Sequence, residues 1–368
     1  MRFNCPSNVL LQGLSVAVRA LSTRSTQPIY EGIQLRTCDE GLRLTGSDGT
    51  ISIVTTIPAD VSEDGAVVLP GKLLYEIIRK MPDAELSASM NANFVVTFKC
   101  MGSRTTLSGQ SAEYYPELPL VNADESFILP QIMLRNMIQQ TSFAISSDES
   151  RMVLTGSLLE LNHGEVRMVS LDGFRLGMRL ERISGSAPDL NAIIPGKTLS
   201  EIAKIMSDDE NQMAIILIGG NQMMITMGQT QFYSTLIEGE YIKYRQILPQ
   251  DFKTRVKVSR DVLNMCVERA SLMAREGKNN LIRMQIEDNS IIITANAESG
   301  DAYEEMEAEI EGEGLSIAFN VKYVSDVMKV VTDDEIYMCF NSGVSPCLIK
   351  PVEGDAFLYL VLPVRVNT

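Results

Sequence analysis

Apolar residues at helical spacing open the chain. Leu10, Leu14, Val18 and Leu21 fall on one face of a segment running from about residue 7 to 21. Asn8, Gln12, Ser15, Arg19 and Ser22 fall on the other. The same spacing predicts helices over 130–143 and 259–273. Between helices the period drops to two. Residues 41–53 alternate apolar and polar positions around Asp48-Gly49, which predicts a strand, a turn and a strand. Residues 165–178 and 290–303 repeat that shape, with turns expected at Asp172-Gly173 and Asn296-Ala297. Further apolar strands are expected over 94–98, 213–218, 223–227 and 336–340.

A second helical pattern recurs at a fixed interval. Pro70-Gly71-Lys72-Leu73-Leu74-Tyr75-Glu76-Ile77-Ile78-Arg79-Lys80 returns as Pro195-Gly196-Lys197-Thr198-Leu199-Ser200-Glu201-Ile202-Ala203-Lys204-Ile205. It returns again, more faintly, as Asn320-Val321-Lys322-Tyr323-Val324-Ser325-Asp326-Val327-Met328-Lys329-Val330. Lys72, Lys197 and Lys322 are 125 residues apart, and an acidic turn follows each copy at Asp83, Asp208 and Asp333. One supersecondary plan is used three times, each repeat opening with a helix, continuing through strands and carrying a second helix. Pro-rich and acidic segments near residues 122 and 250 separate the copies into domains 1–122, 123–250 and 251–368.

Composition narrows the class. The 368 residues are 45% hydrophobic and 21% charged, with no run of the roughly 18 apolar residues that a membrane span needs. Gln12, Gly13 and Arg19 interrupt the apolar N-terminal stretch, so it reads as the start of a cytoplasmic domain and not as a signal peptide. The six cysteines contain no Cys-x-x-Cys and read as reduced, buried thiols. The net charge of −15 argues against nucleic acid as a partner until its distribution is considered. Windows 7–24 and 71–82 carry a net +2 each, and 129–143, 196–206, 259–278 and 320–331 carry +1 each. The six helices thus hold +8 and the rest of the chain −23, which would place a positive surface inside an acidic shell if the helices share one side.

Catalytic equipment is missing from the pattern. The one histidine, His163, lies in the hairpin-like Asn162-His163-Gly164-Glu165, away from any nucleophile with a partner. Gly196-Lys197-Thr198 matches the end of a phosphate-binding loop, but Asn191 stands where the motif requires glycine. Glu304-Glu305 and Asp208-Asp209 read as solvated carboxylates and not as metal ligands. A chain without catalytic residues, metal or cofactor is expected.

Local motifs extend the pattern over the full length. They are Ser22-Thr23-Arg24-Ser25-Thr26-Gln27-Pro28-Ile29, Gly46-Ser47-Asp48, Tyr115-Pro116-Glu117-Leu118-Pro119, Leu154-Thr155-Gly156 and Asp172-Gly173-Phe174-Arg175-Leu176. They continue with Ile194-Pro195-Gly196-Lys197, Leu248-Pro249, Phe319-Asn320-Val321-Lys322-Tyr323 and Val361-Leu362-Pro363-Val364-Arg365. In order and spacing the chain resembles the bacterial sliding clamp family, the beta subunits of DNA polymerase III. The resemblance implies an α+β fold of three repeated clamp domains, each with two inner helices and outer antiparallel sheets. Two chains would close head to tail into a six-domain ring around duplex DNA, sequence-blind and held by topology. Partners would be the replicative polymerase, the clamp loader and other proteins carrying a clamp-binding peptide.

The resemblance also implies sites. Arg19, Arg24, Lys72, Arg79, Lys80, Arg135, Lys197, Lys204, Lys322 and Lys329 would face DNA. A partner-peptide pocket would comprise Leu154, Leu171, Gly173, Phe174, Arg175, Leu176, Ile242, Gln246, Ile247, Asn320, Tyr323, Val344, Val361, Leu362, Pro363, Val364 and Arg365. Phe174 stands where histidine is common in the family, Leu171 where a small polar residue is common, and Gln246 in place of a frequent arginine. Thr105 and Leu107 on one side and Leu272 and Met273 on the other would form the dimer interface, Thr105 standing where a large aromatic can occur. Two other readings remain: an acidic three-domain peptide-binding scaffold that never encircles DNA, and an enzyme built on repeated domains.

Overall fold

Six α-helices are present among the described residues: α1 (Ser7–Ala17), α2 (Gly71–Arg79), α3 (Gln131–Thr141), α4 (Gly196–Ile205), α5 (Arg260–Glu276) and α6 (Val321–Val330). The starts of α2, α4 and α6 at 71, 196 and 321 preserve the 125-residue step. The computed structural model describes residues 1–22, 27–122, 126–183, 189–277 and 280–365.

Two compact units divide the chain, Met1–Arg135 with Ser200–Leu236 and Asn136–Leu199 with Ile237–Thr368, so the division falls inside the middle repeat. Strand pairing explains this. In the first unit Thr230–Thr235 pairs antiparallel with Ile51–Ile57, joining strands of repeats one and two into one eight-stranded sheet. A five-stranded sheet, ending on Ser103–Ser108, completes that unit. In the second unit Arg175–Arg182 pairs with Phe357–Val361, giving a nine-stranded sheet from repeats two and three. A four-stranded sheet accompanies it, with Gly300–Glu307 at one edge and Leu315–Asn320 at the other.

Each first helix is preceded by a strand that the helical pattern did not predict: Arg2–Pro6, Ser126–Pro130 and Thr254–Ser259. Five or six residues give too short an alternation to stand out, but Phe3 and Cys5, Phe127 and Leu129, and Val256 and Val258 all point inward. The turn expected at Asn296-Ala297 also lies elsewhere. Those residues stay in the strand, Ala297 pairing with Gly300, and the chain reverses at Glu298-Ser299. α1 ends at Ala17 and continues to Ala20 as a 3₁₀ turn.

The cores follow the alternation. Leu10, Leu14, Leu42, Leu44, Leu74 and Phe98 are fully buried in the first unit. Val267, Ile282, Ile293, Phe319, Val327 and Tyr359 are buried in the second. No described helix is long and apolar enough to cross a membrane.

Candidate peptide site and helix cations

The hairpin joining Glu165–Leu171 to Arg175–Arg182 turns at Asp172-Gly173-Phe174. The Asp172 carboxylate accepts from the backbone N–H of Phe174 at 2.8 Å and of Arg175 at 3.0 Å. Gly173 has φ +93°, where a side chain would be strained. Leu154, Leu171 and Leu176 then share one apolar cluster with Tyr244, Leu360 and the half-buried Tyr241 and Leu362. All three leucines are under 5% exposed, so they are core residues beneath the surface and not its contact layer. Val361 faces the other core of the unit. Phe174, in contrast, is 55% exposed and stacks on Tyr323 of α6 with ring centroids 6.0 Å apart.

Arg175 is buried and fully engaged. Its guanidinium donates to Asp172 at 3.0 Å and to Asp326 of α6 at 2.6 Å, and lies 4.8 Å over the Tyr323 ring and 5.3 Å over Phe143. Burial, with Asp172 nearby, raises the Tyr323 pKa. Asn320 caps α6, accepting from the Lys322 N–H at 3.0 Å. The chain beyond Val361 is held by the Leu362 N–H donating to the Phe174 carbonyl at 2.9 Å and the Val364 N–H to Ala318 at 2.8 Å.

The exposed Ile242 and Ile247, with Gln246 also exposed, flank Tyr244. Tyr244 is buried, and its hydroxyl donates to Glu160 at 2.5 Å. Arg245 donates to both oxygens of that carboxylate at 3.1 and 2.8 Å. Burial and the Glu160 charge push the Tyr244 pKa up. The Tyr241 hydroxyl lies 3.4 Å from the Gly156 carbonyl and 3.3 Å from that of Val169. Val344 is 69% exposed and Arg365 exposed. Among the described residues no hydrogen bond or ring contact joins the side chain of either to the cluster, and Pro363 is half-buried. Asp326, Phe143 and Glu160 were missed by the sequence reading. Asp326 was visible only as the recurrent acid of the second helix.

The helix cations divide by pairing. Arg79 bonds Glu76 at 2.5 Å, Lys204 bonds Glu201 at 2.6 Å, Lys329 bonds Asp326 at 3.3 Å, and Arg19 reaches Glu201 at 3.6 Å. Arg135 pairs with Asp208. Lys72, Lys80 and Lys322 are exposed without a carboxylate partner among the described residues, and Lys197 is exposed. Arg24 lies outside the described residues. Thr105 and Leu107 sit on Ser103–Ser108, the terminal strand of the five-stranded sheet, Leu107 turned into the core at 7% exposure. Leu272 on α5 is 62% exposed and Met273 half-buried.

Family models cover nearly all of this chain: the DNA polymerase III beta subunit N-terminal domain over residues 1–119, its central domain over 128–243 and its C-terminal domain over 245–365. The chain belongs to the DNA polymerase III beta subunit family. The beta sliding clamp of Staphylococcus aureus is 35% identical over 375 residues, spanning 99% of both chains. The Bacillus subtilis sliding clamp superposes over all of both chains with TM-score 0.96 at 31% identity. The Pseudomonas aeruginosa clamp, solved bound to griselimycin, does so with TM-score 0.94 at 28% identity. As a member of this beta subunit family the chain is a sliding clamp, a replication processivity factor of DNA polymerase III and not itself a catalyst, and DNA and the polymerase are its partners.

Proposed function

We propose that the second unit carries the partner-peptide site, centred on Phe174, Tyr323, Ile242, Ile247 and Leu362 above the leucine cluster. One internal comparison carries the reading. The first unit repeats the frame: Asp48 accepts from the N–H of Thr50 at 2.9 Å and of Ile51 at 2.8 Å, Gly49 has φ +91°, and the Thr235 N–H donates to the Thr50 carbonyl at 3.0 Å. The Tyr115 hydroxyl reaches the Gly32 and Thr45 carbonyls as Tyr241 reaches Gly156 and Val169. Yet Ser47, Ser52 and Thr235 stand in the first frame where Leu171, Leu176 and Leu362 stand in the second. The frame therefore does not require leucines; the half-buried Leu362 offers apolar surface suited to a peptide's Leu or Phe, and the buried Leu171 and Leu176 supply the apolar floor beneath it.

The same reading takes 1–122, 123–250 and 251–368 as the clamp domains. Two cytoplasmic chains close head to tail through Thr105, Leu107, Leu272 and Met273 around duplex DNA, with the helix cations toward phosphate. The replicative polymerase, the loader and other peptide-bearing proteins are its protein partners. Retention after loading on nicked circular DNA, compared with the same DNA linearised, tests the ring. The chain is expected to stay on circles and run off ends. Equal loss from both, or a monomer by light scattering at micromolar concentration, would favour the acidic scaffold.

A further inference from the structure

We propose that the peptide surface continues into a cationic subsite formed by Phe252, Lys253, Arg255 and Lys350, which takes a carboxylate from an acidic flank of the partner peptide. The inference rests on the peptide-site reading above.

The apolar cluster under Leu362 does not stop there. Leu348, Leu358 and Leu360 belong to it, and Phe252 and Tyr337 extend it at the surface. Alternation puts Lys350 on the same face as Leu348, and the register pairs Lys350 with Tyr337 and Leu348 with Leu360. From Leu362 to the level of Lys350 is four strand residues, about 13 Å, a span that four extended peptide residues cover. There a depression of about 320 Å³ is lined by Phe252, Lys253, Arg255, Glu311, Gly312 and Lys350.

Its lining carries three cations against the one carboxylate of Glu311. Lys350 lies 5.3 Å over the Phe252 ring and Arg255 lies 4.6 Å over Tyr337. Arg255 is neutralised by Glu311 at 2.5 Å, but Lys253 and Lys350 have no carboxylate partner among the described residues. Two uncompensated ammonium groups at the end of an apolar track fit one or two carboxylates. A nucleic-acid strand fits less well. Lys350 already covers the Phe252 face that a base would stack on, and Glu309 and Glu335, held by Lys257 at 3.5 and 2.9 Å, would meet its next phosphates.

The test uses fluorescein-labelled peptides with a Leu-Phe anchor, one with two Glu four residues away on either side and a twin with Gln in their place. They are titrated against the full chain and a Lys253→Gln/Lys350→Gln variant. The acidic-flank peptide is expected to bind about tenfold tighter than its twin at low salt, and the variant to erase that difference while binding the neutral twin as before. Equal binding of the two peptides to the unaltered chain would overturn the subsite and leave the peptide site standing. Failure of both peptides to bind would overturn both. Displacement of the acidic-flank peptide by a 15-residue oligo-dT, relieved in the variant, would overturn the assignment in favour of nucleic acid.

Discussion

Arg175 donates to Asp326 at 2.6 Å and so fastens the hairpin turn of the nine-stranded sheet to α6. The guanidinium also holds Asp172 and covers the ring of Tyr323, so three parts of the candidate site share one side chain. Arg175→Ala would leave two half-buried carboxylates with only the exposed Lys329, 3.3 Å from Asp326, as a cation. A loss of about 3 kcal/mol is expected, read as a lowered thermal midpoint. Asp326→Asn keeps a hydrogen-bond acceptor and one ion pair and should cost less. Arg175→Lys should not restore stability, because an ammonium does not fork between two carboxylates.

Phe174 and Leu362 separate affinity from stability. Phe174 is 55% exposed, so Phe174→Ala should leave the thermal midpoint nearly unchanged. It removes the ring stacked on Tyr323, and peptide affinity by fluorescence anisotropy should fall about tenfold, roughly 1.4 kcal/mol. Leu362→Thr installs the residue of the first unit's equivalent frame and should weaken binding to a similar degree. Unchanged affinity in both variants would move the peptide site elsewhere.

The helices and hairpins are legible because their apolar patterns run over many residues, as in Leu10-Leu14 or the strands around Asp172-Gly173. The equal spacing of Lys72, Lys197 and Lys322 shows the triplication in the sequence alone. What stayed hidden was set by distance in sequence. Arg175 and Asp326 are 151 residues apart, and Glu160 and Tyr244 are 84 apart. No local pattern announces a buried polar contact across such a gap. Likewise, only the folded chain reveals that Leu171, Leu154 and Leu176 are core and Phe174 is surface.

Pairing ranks the helix cations. Arg135 is bound to Asp208 and Arg79 to Glu76, whereas Lys72, Lys80 and Lys322 have no carboxylate partner among the described residues. If the last three meet phosphates, each change to Ala should lower the slope of log affinity against log salt by about 0.9. Arg79→Ala should change the slope less, since its charge is already partly neutralised. Equal slopes for all four variants would indicate that the free lysines do not face DNA.

The buried thiols make the stability depend on pH on the alkaline side. Burial, with Glu85 adding, raises the Cys5 pKa from 9.0 to about 12, and burial also raises Cys266, Cys339 and Cys347. A raised folded value means that the folded chain keeps its proton longer. Below about pH 9 both states hold it and this contribution is constant. For Cys5, between about 9 and 12 the unfolded chain ionises first, so stability falls by up to about 1.4 kcal/mol per pH unit, and the other raised thiols push the same way. Tyr115, Tyr241 and Tyr359, raised by burial, push the same way at higher pH. The thermal midpoint should hold between pH 7 and 8.5 and then fall steadily. At pH 8 iodoacetamide should modify the half-buried Cys38 first and reach Cys5, Cys339 and Cys347 only after denaturant is added. Early labelling of Cys5 in the folded chain, or a midpoint that is flat to pH 11, would contradict this account.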